Sequence, residues 1–478
     1  MYPFEFPLDL PARGSRQRLH ALHAQLRAAI LDGRLKSGLR LPATRELAAA
    51  LALSRNTVVG AYERLISEGY VEARQGAGNF VAALVPSRKP LPPAGPSDRR
   101  LAAPWRGFAA MPARVPLASG LLDFRLGAPE LQLFPFDVWR RLSMRAWRTA
   151  ARGGPPYDLP QGRPALREAI ARHVAFARAV ACGPDDVIVT HGAQQAFDLL
   201  ARVLVTPGRT VLAVEDPGYP PLREAFAAAG AQVVGVPVDA DGLVVERLPA
   251  QARVIYVTPS HQFPLGVTMS PQRRAALLAF ARQHGATVIE DDYDSEFCYG
   301  ERPLDALQTL DGSGAVCYVG TFSKCLFPSL RLGYVVAPPW LQPALAHAKR
   351  VADWHCDPVS QETLAAFIAE GHLARHVRRM RRIYAQRRGR LLGAIERHAR
   401  GRLDVWTSSA GLHLAARLPR GTRATDVVAE AAVQGIQLET LGGYALGRSA
   451  PNGLAFGYGR TEEAAIDEAV RRIALLLG

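Results

Sequence analysis

Lysine is almost missing from this chain. Of its 58 basic side chains, all but Lys36, Lys89, Lys324 and Lys349 are arginine. A position that needs only positive charge is therefore met by a guanidinium, and a retained amine raises the question of chemistry, since an amine can lose its proton and attack a carbonyl. Cysteine is sparse as well. Cys182, Cys298, Cys317, Cys325 and Cys356 are odd in number, scattered and free of CxxC spacing, which argues against a disulfide framework and against a metal site. No apolar run approaches the ~18 residues that span a bilayer. The opening "MYPFEFPLDLPARGSR" lacks the charged-then-apolar layout of a secretory leader. The protein is thus expected in the cytoplasm, with no membrane partner. What remains is a soluble composition, 48% hydrophobic and 21% charged over 478 residues, enough for two or three cores.

The net charge of +15 is unevenly spread: residues 1–115 hold 17 Lys and Arg against 8 Asp and Glu. A basic end on a near-neutral body suggests an anionic partner for that end, most often nucleic acid. Leu19, Leu22, Leu26 and Ile30 recur at helical spacing up to Gly33, and "LPATRELAAALAL" gives a second, short helix with Leu47, Leu51 and Leu53 inward. Ser54 reads as the N-cap of a third, striped by Val58, Ala61, Tyr62 and Leu65. "YVEAR" and "NFVA", joined by "QGAG", read as a hairpin wing. In a winged helix-turn-helix the third helix enters the major groove by its N-terminal residues, here Ser54, Arg55, Asn56 and Thr57. Arg45 on the second helix, and Arg74 with Gln75 at the wing, would stand beside them.

The stretch "LRLPATRELAAALALSRNTVVGAYERLISEGYVEARQGAGNFV" closely resembles the winged-helix domain of GntR-type transcription regulators. That resemblance implies double-stranded operator DNA as partner, with Arg45, Arg55, Thr57 and Gly76 among the contacting positions. Residues 1–82 are accordingly expected as the DNA-binding domain. Residues 83–119, rich in Pro, Arg and small side chains, read as a semi-rigid linker.

From residue 120 to 478 the pattern changes. "DVIVTHG", "TVLAVED", "AQVVGVPV", "RVIYVTPS", "TVIEDD", "AVCYVG" and "LGYVVAP" alternate with helical stretches. This predicts an α/β large lobe over about 160–360 with a mostly parallel sheet. From 361, long helices and late β pieces predict a smaller α+β lobe, completed by the segment after residue 120. The arginine run "RHVRRMRRIYAQRRGR" reads as a solvated helix face, with an extended DNA-binding surface as the alternative.

Polar residues gather at the predicted strand ends, where ligands of such sheets bind. Asp291 and Tyr293 follow one strand; Thr321, Ser323 and Lys324 follow another; Tyr219 follows a third; Gly192 opens a helix whose first N–H groups can take a phosphate. Singly each has a bland reading as cap, turn or surface ion pair. Together they supply what pyridoxal phosphate needs: a Schiff-base lysine, an acid for the ring nitrogen, a phenol, a stacking aromatic and phosphate ligands.

"VTHGAQQAFDLL", "EDPGYP", "YVTPSHQFPLGVTMS", "VIEDDYDSEF" and "GTFSKCLFPSLRLGY" resemble, in order, the landmarks of fold-type I aminotransferases. Joined to a GntR-type winged helix, this is similar to the architecture of the MocR family of bacterial regulators. The resemblance implies pyridoxal 5′-phosphate bound through Lys324, with Asp291 on the ring nitrogen, Tyr293 on the phenolic oxygen and Tyr219 stacked on the ring. It further implies Ala193, Gln194, Thr321, Ser323 and Arg331 around the phosphate. His261 or Gln262 falls where the enzymes carry an asparagine. It also implies a homodimer on paired DNA half-sites. Ala455 falls where aminotransferases place the arginine that clamps a substrate carboxylate, with Arg460 and Arg223 as the nearby candidates. The chain is therefore expected to be a regulator sensing a small amine, an amino acid or a B6 vitamer rather than an enzyme. An active aminotransferase with an accessory DNA-binding domain is the alternative.

Overall fold

The computed structural model describes residues 4–477 except 5, 12–14, 16, 84–99, 103–104, 107–121, 154–156, 301–304, 407 and 448–450. Most of the predicted linker therefore lies outside the described residues. Contacts divide the chain into two compact units, residues 1–102 with 106–109, and residues 103–105 with 110–478.

In the first unit, α1 (Arg18–Leu31), α2 (Thr44–Ala50) and α3 (Arg55–Ser67) precede the strands β1 (Val71–Arg74) and β2 (Gly78–Val81). The periodic leucines do what their spacing predicts. Leu22, Leu26, Leu47, Val58, Ala61 and Leu65 are fully buried in one cluster. Ser54 caps α3 through Oγ, which accepts from the Thr57 amide at 3.1 Å. The wing strands pair antiparallel, Val71 opposite Val81 and Arg74 opposite Gly78. Two features escaped the periodicity. Phe4, Phe6, Leu8 and Leu10 pack onto this core, and Arg40 forms an extra bridge to Phe80 beside the wing.

The second unit begins at β3 (Leu122–Asp123), α4 (Phe136–Ala150) and α5 (Pro164–Arg178). Its large sheet takes β4 (Val187–Thr190), β5 (Val211–Asp216), β6 (Gln232–Asp239), β7 (Gly242–Leu243), β8 (Ala252–Val257), β9 (Thr287–Asp292), β10 (Val316–Thr321) and β11 (Gly333–Val336). Their spatial order is β4-β11-β10-β9-β8-β5-β6-β7. The five strands from β10 across to β6 run parallel. "LGYVVAP" departs from that pattern: β11 is antiparallel to both β10 and β4. A strand that returns directly after a short turn must reverse direction, and only a 3₁₀ turn, Pro328–Leu330, separates β10 from β11.

Helices α6 (Gly192–Leu204), α7 (Pro220–Ala228), α8 (Pro271–His284), α9 (Leu307–Leu310) and α10 (Gln342–Asp353) accompany these strands. Both faces of the inner strands are covered, so these strands are mainly apolar and neighbours in sequence enter different cores. On β8, Val254 and Tyr256 join one cluster while Ile255 and Val257 join another.

The chain continues through α11 (Pro358–Ala369) and α12 (His372–His398) into a second, antiparallel sheet. That sheet holds β12 (Asp404–Val405), β13 (His413–Arg417), β15 (Glu439–Thr440) and β16 (Gly453–Gly457), with α13 (Ala424–Val433) against β15 and α14 (Glu463–Leu475) packed on α12. Between them β14 (Ile436–Gln437) pairs with β3, which ties the segment after residue 120 to this lobe. No described helix is long and apolar enough to cross a membrane.

Candidate functional site

At the start of α3, Arg55 and Asn56 are exposed and free to face a partner. Ser54 and Thr57, expected beside them, are engaged with each other: their hydroxyls lie 2.8 Å apart and Ser54 also holds the Thr57 amide. Capping thus takes hydrogen-bonding capacity that the sequence reading assigned to DNA. Arg45 is exposed on α2. Arg74 lies over the Phe80 ring, 4.7 Å from its centroid, and 3.6 Å from Glu72, while Gln75 and Gly76 (φ +77°) form the exposed wing turn.

The second site is a cavity of about 400 Å³ at the carboxyl ends of the parallel strands. Its walls include Ala193, Gln194, Tyr219, Asp291, Tyr293, Thr321, Ser323, Lys324 and Arg331. Nine of the eleven residues expected around the cofactor thus converge on one space. His261 and Gln262 are the exceptions. They are buried and absent from the cavity wall. The Gln262 amide donates to the carbonyls of Pro217 and Phe263 and holds its own loop, and His261 stands behind Tyr293.

Lys324 follows β10 by three residues, and its Nζ donates to the Gly127 carbonyl at 2.7 Å. Burial lowers its pKa, against the opposing pull of Asp294 and Asp291, and Arg331 lowers it further. An amine so placed reaches its neutral, nucleophilic form more easily than a surface lysine. Asp291, near the end of β9, is 5% exposed. Its Oδ2 accepts from the Tyr256 hydroxyl at 2.7 Å, while its Oδ1 is buried without a partner. Burial pushes its pKa up to about 7.

Gly192 opens α6 at φ +75°, and a Cβ there would fall 3.1 Å from both Nη atoms of Arg331. Only glycine tolerates this backbone and this approach together. Arg331, itself left-handed at φ 52°, donates from Nη2 to the His191 carbonyl at 2.9 Å. Its guanidinium and the first amides of α6 thereby share one end of the cavity, a ready anion site. Thr321 donates from Oγ1 to Ser323 Oγ at 3.0 Å at the same end. Tyr219 caps α7, and its ring is held edge-on by Phe263 at 5.4 Å and Phe197 at 6.3 Å. The Tyr293 hydroxyl donates to the His261 carbonyl at 3.0 Å.

Asp294 lies 3.1 Å from His261 Nδ1, and His413 Nε2 meets the Pro264 carbonyl at 3.1 Å. The potential ligating atoms of His261, Asp294 and His413 lie within 4.8 Å of one another. Gly411 lies so close beneath them that a Cβ there would sit 1.9 Å from His261. The trio is a packed polar cluster beside Tyr293, and Asp294 and His413 also reach the cavity wall.

Sequence reasoning missed Gly127, Tyr256, Phe263, His413 and Tyr444 on the cavity wall. Tyr256 had a signal, since a hydroxyl in the apolar strand "RVIYVTPS" must find a buried partner. The others come from loops and from the smaller lobe, where no local pattern marks them. Ala455 packs in an apolar cluster with Leu265, Val267, Ala415 and Leu441. Arg223 donates to the Tyr444 carbonyl at 2.9 Å, and Arg460 lies 3.6 Å from Asp123.

Comparison with known proteins finds matches over both units of the chain. The model "Aminotransferase class I and II" matches residues 123–473, and "Bacterial regulatory proteins, gntR family" matches residues 20–81. The probable rhizopine catabolism regulatory protein MocR of Rhizobium meliloti is 38% identical over 95% of this chain and 92% of its own length. The pyridoxine biosynthesis transcriptional regulator PdxR of Corynebacterium glutamicum is 33% identical over 92% of each chain. Among solved structures, a multiple substrate aminotransferase from Thermococcus profundus superposes with a TM-score of 0.73, at 26% identity, over 80% of this chain and 98% of its own. The chain belongs to the MocR family, transcriptional regulators in which a GntR-type helix-turn-helix domain is joined to a fold-type I, aminotransferase-like domain.

Proposed function

We propose that this regulator holds pyridoxal 5′-phosphate in the cavity at Lys324 and senses there a small amino compound or a B6 vitamer. The observation that carries the reading is Asp291 Oδ1, a buried carboxylate oxygen without a partner on the wall of a cavity that also presents an amine. A buried acceptor left unsatisfied costs about 1–3 kcal/mol, and a protonated ring nitrogen is a donor of the right kind. Arg331, the α6 amides, Thr321 and Ser323 suit the phosphate. Tyr219 suits the ring face, and Tyr293, braced by His261, suits the phenolic oxygen.

When bound, the cofactor supplies an electrophilic carbonyl carbon and an electron-withdrawing ring. The chain's own groups do the rest: Lys324 offers an amine with a lowered pKa, and Asp291 holds a positive charge at the ring. Among the described residues, Lys324 and Arg331 are the cavity's lysine and arginine side chains. With both engaged by cofactor and Ala455 buried in an apolar cluster, an α-carboxylate lacks a dedicated guanidinium. This favours an amine without that group, or a B6 vitamer, over turnover of amino acids. The relative named for pyridoxine biosynthesis supports the vitamer reading.

The test is a visible absorbance spectrum of purified protein, borohydride reduction and mass mapping of Lys324. A colourless protein with unmodified Lys324 after supply of the cofactor would sink the proposal. Incubation with amines, amino acids and a keto-acid acceptor separates the two activities. Spectral change with an altered DNA footprint favours the sensor, and sustained turnover favours the enzyme. We expect a cytoplasmic homodimer on paired half-sites, to be checked by light scattering with and without operator DNA.

A further inference from the structure

The arginine run 375–390 is used by neither the winged helix nor the cavity. It lies in α12, and packing splits it. Arg387 turns inward and binds Glu130 at 2.8 Å and the Gly459 carbonyl, and Arg388 meets the Ser408 carbonyl. This part of the run is structural, against the reading of a wholly solvated face.

The other part is different. Arg375, Arg378, Arg379 and Arg382 recur at i, i+3, i+4 and i+7, so they form one stripe on the helix, and all four are exposed. Val377, Met380 and Tyr384 anchor the opposite face in the core, which holds the stripe on a rigid element. The chain carries no acid between Glu370 and Glu396, so no i,i+4 partner along the helix can neutralise it. Arg378, Arg379 and Arg382 have no carboxylate at ion-pair distance among the described residues. Some exposed arginines elsewhere in this unit are paired, as in Arg145–Glu370, Arg202–Asp198 and Arg471–Glu468. Single ones unpaired among the described residues, such as Arg209, Arg247 and Arg282, are scattered, whereas Arg378, Arg379 and Arg382 share one helix face. Like charges at helical spacing repel, and an anionic partner that covers the row offsets that cost.

We infer that this stripe of α12 is a second DNA contact, made to backbone phosphates by the aminotransferase-like unit. Its length, about 10 Å for seven residues, matches roughly three phosphates of one strand. A guanidinium is the side chain best shaped for phosphate. Arg378 also borders a cavity, but Glu296 and Asp305 line it too and disfavour a small anion there. Arg379 and Arg382 lie outside that cavity, and a row along a helix suits a linear polyanion. Such a contact carries no base recognition and is independent of sequence. The inference takes the winged helix as the specific reader and adds a non-specific hold on the same DNA.

The test uses the full chain and a 60-base-pair duplex of arbitrary sequence, about the length that leaves flanking DNA, with binding measured by anisotropy across salt concentrations. The variant R378Q/R379Q/R382Q should lower the slope of log affinity against log salt by about three, and so remove a roughly fortyfold loss of binding between 50 and 200 mM salt. A control, R209Q/R247Q/R282Q, takes the same charge from scattered exposed positions and should leave most of the slope in place. In the background R55A/N56A, weak binding should survive and then disappear when the α12 substitutions are added. An unchanged slope in the α12 variant, or an equal fall in the control, overturns the inference. Loss of all binding in R55A/N56A alone also overturns it, while leaving DNA reading by the winged helix intact.

Discussion

The Tyr256 hydroxyl lies 2.7 Å from Oδ2 of Asp291 and leaves Oδ1 of the same carboxylate without a partner beside the cavity. Tyr256 therefore orients Asp291 and favours its charged form, against the burial that raises its pKa. Tyr256→Phe should weaken pyridoxal phosphate binding by about tenfold, the worth of one charge-assisted hydrogen bond. Asp291→Ala should weaken it far more. Titration of the apo-protein followed by visible absorbance reads both.

Gly192→Ala combines a left-handed backbone with a Cβ 3.1 Å from the Arg331 guanidinium. We expect a loss of about 1–2 kcal/mol in stability from the backbone alone, read by chemical denaturation. Displacement of Arg331 should add a fall in phosphate-dependent affinity. Pyridoxal, which lacks the phosphate, should show little of that second effect.

Glu215 and Glu290 are buried in the large lobe, and burial pushes each up to about 7 from an ordinary 4.5. Between those values the folded protein holds more protons than the unfolded chain, so stability falls as pH rises. This contribution is complete below about 4.5 and is lost as pH passes through about 7. His173, His376 and His413, pushed down by burial, act in the opposite sense below about 6.5. Denaturation midpoints should therefore decline from about pH 6.5 to 8, and Glu290→Gln should flatten the decline. Its amide, however, replaces a carboxylate oxygen that accepts from the Leu307 or Gln308 backbone amide, so the variant starts from a lower stability.

At α3, stability and recognition separate. Ser54→Ala removes the cap on the Thr57 amide and should cost about 1 kcal/mol of stability in the DNA-binding unit. Arg55→Ala and Asn56→Ala remove exposed side chains and should leave melting unchanged. Each should weaken operator binding by about 1–3 kcal/mol, if it reads a base. Thermal melts beside footprinting distinguish the two classes.

The elements were legible in the sequence because local spacing dictates them. Leucines at three and four residues can bury only as a helix stripe, and the β-branched runs of "TVIEDD" and "AVCYVG" can bury only in a sheet covered on both faces. Much of the cavity was legible for the same reason: polar residues directly after such runs emerge together at one sheet edge, which brings Asp291, Tyr293, Ser323 and Lys324 within reach. Tertiary structure alone decided what each hydrogen-bonding group does once there. It turned Gln262 into its own loop and set His261 behind Tyr293. It left Asp291 Oδ1 open and split one arginine run into buried and exposed faces. The partners lie tens of residues away, as Tyr256 for Asp291, or more than a hundred, as Gly127 for Lys324 and Glu130 for Arg387. No local pattern encodes a partner that distant; the packed core brings it there.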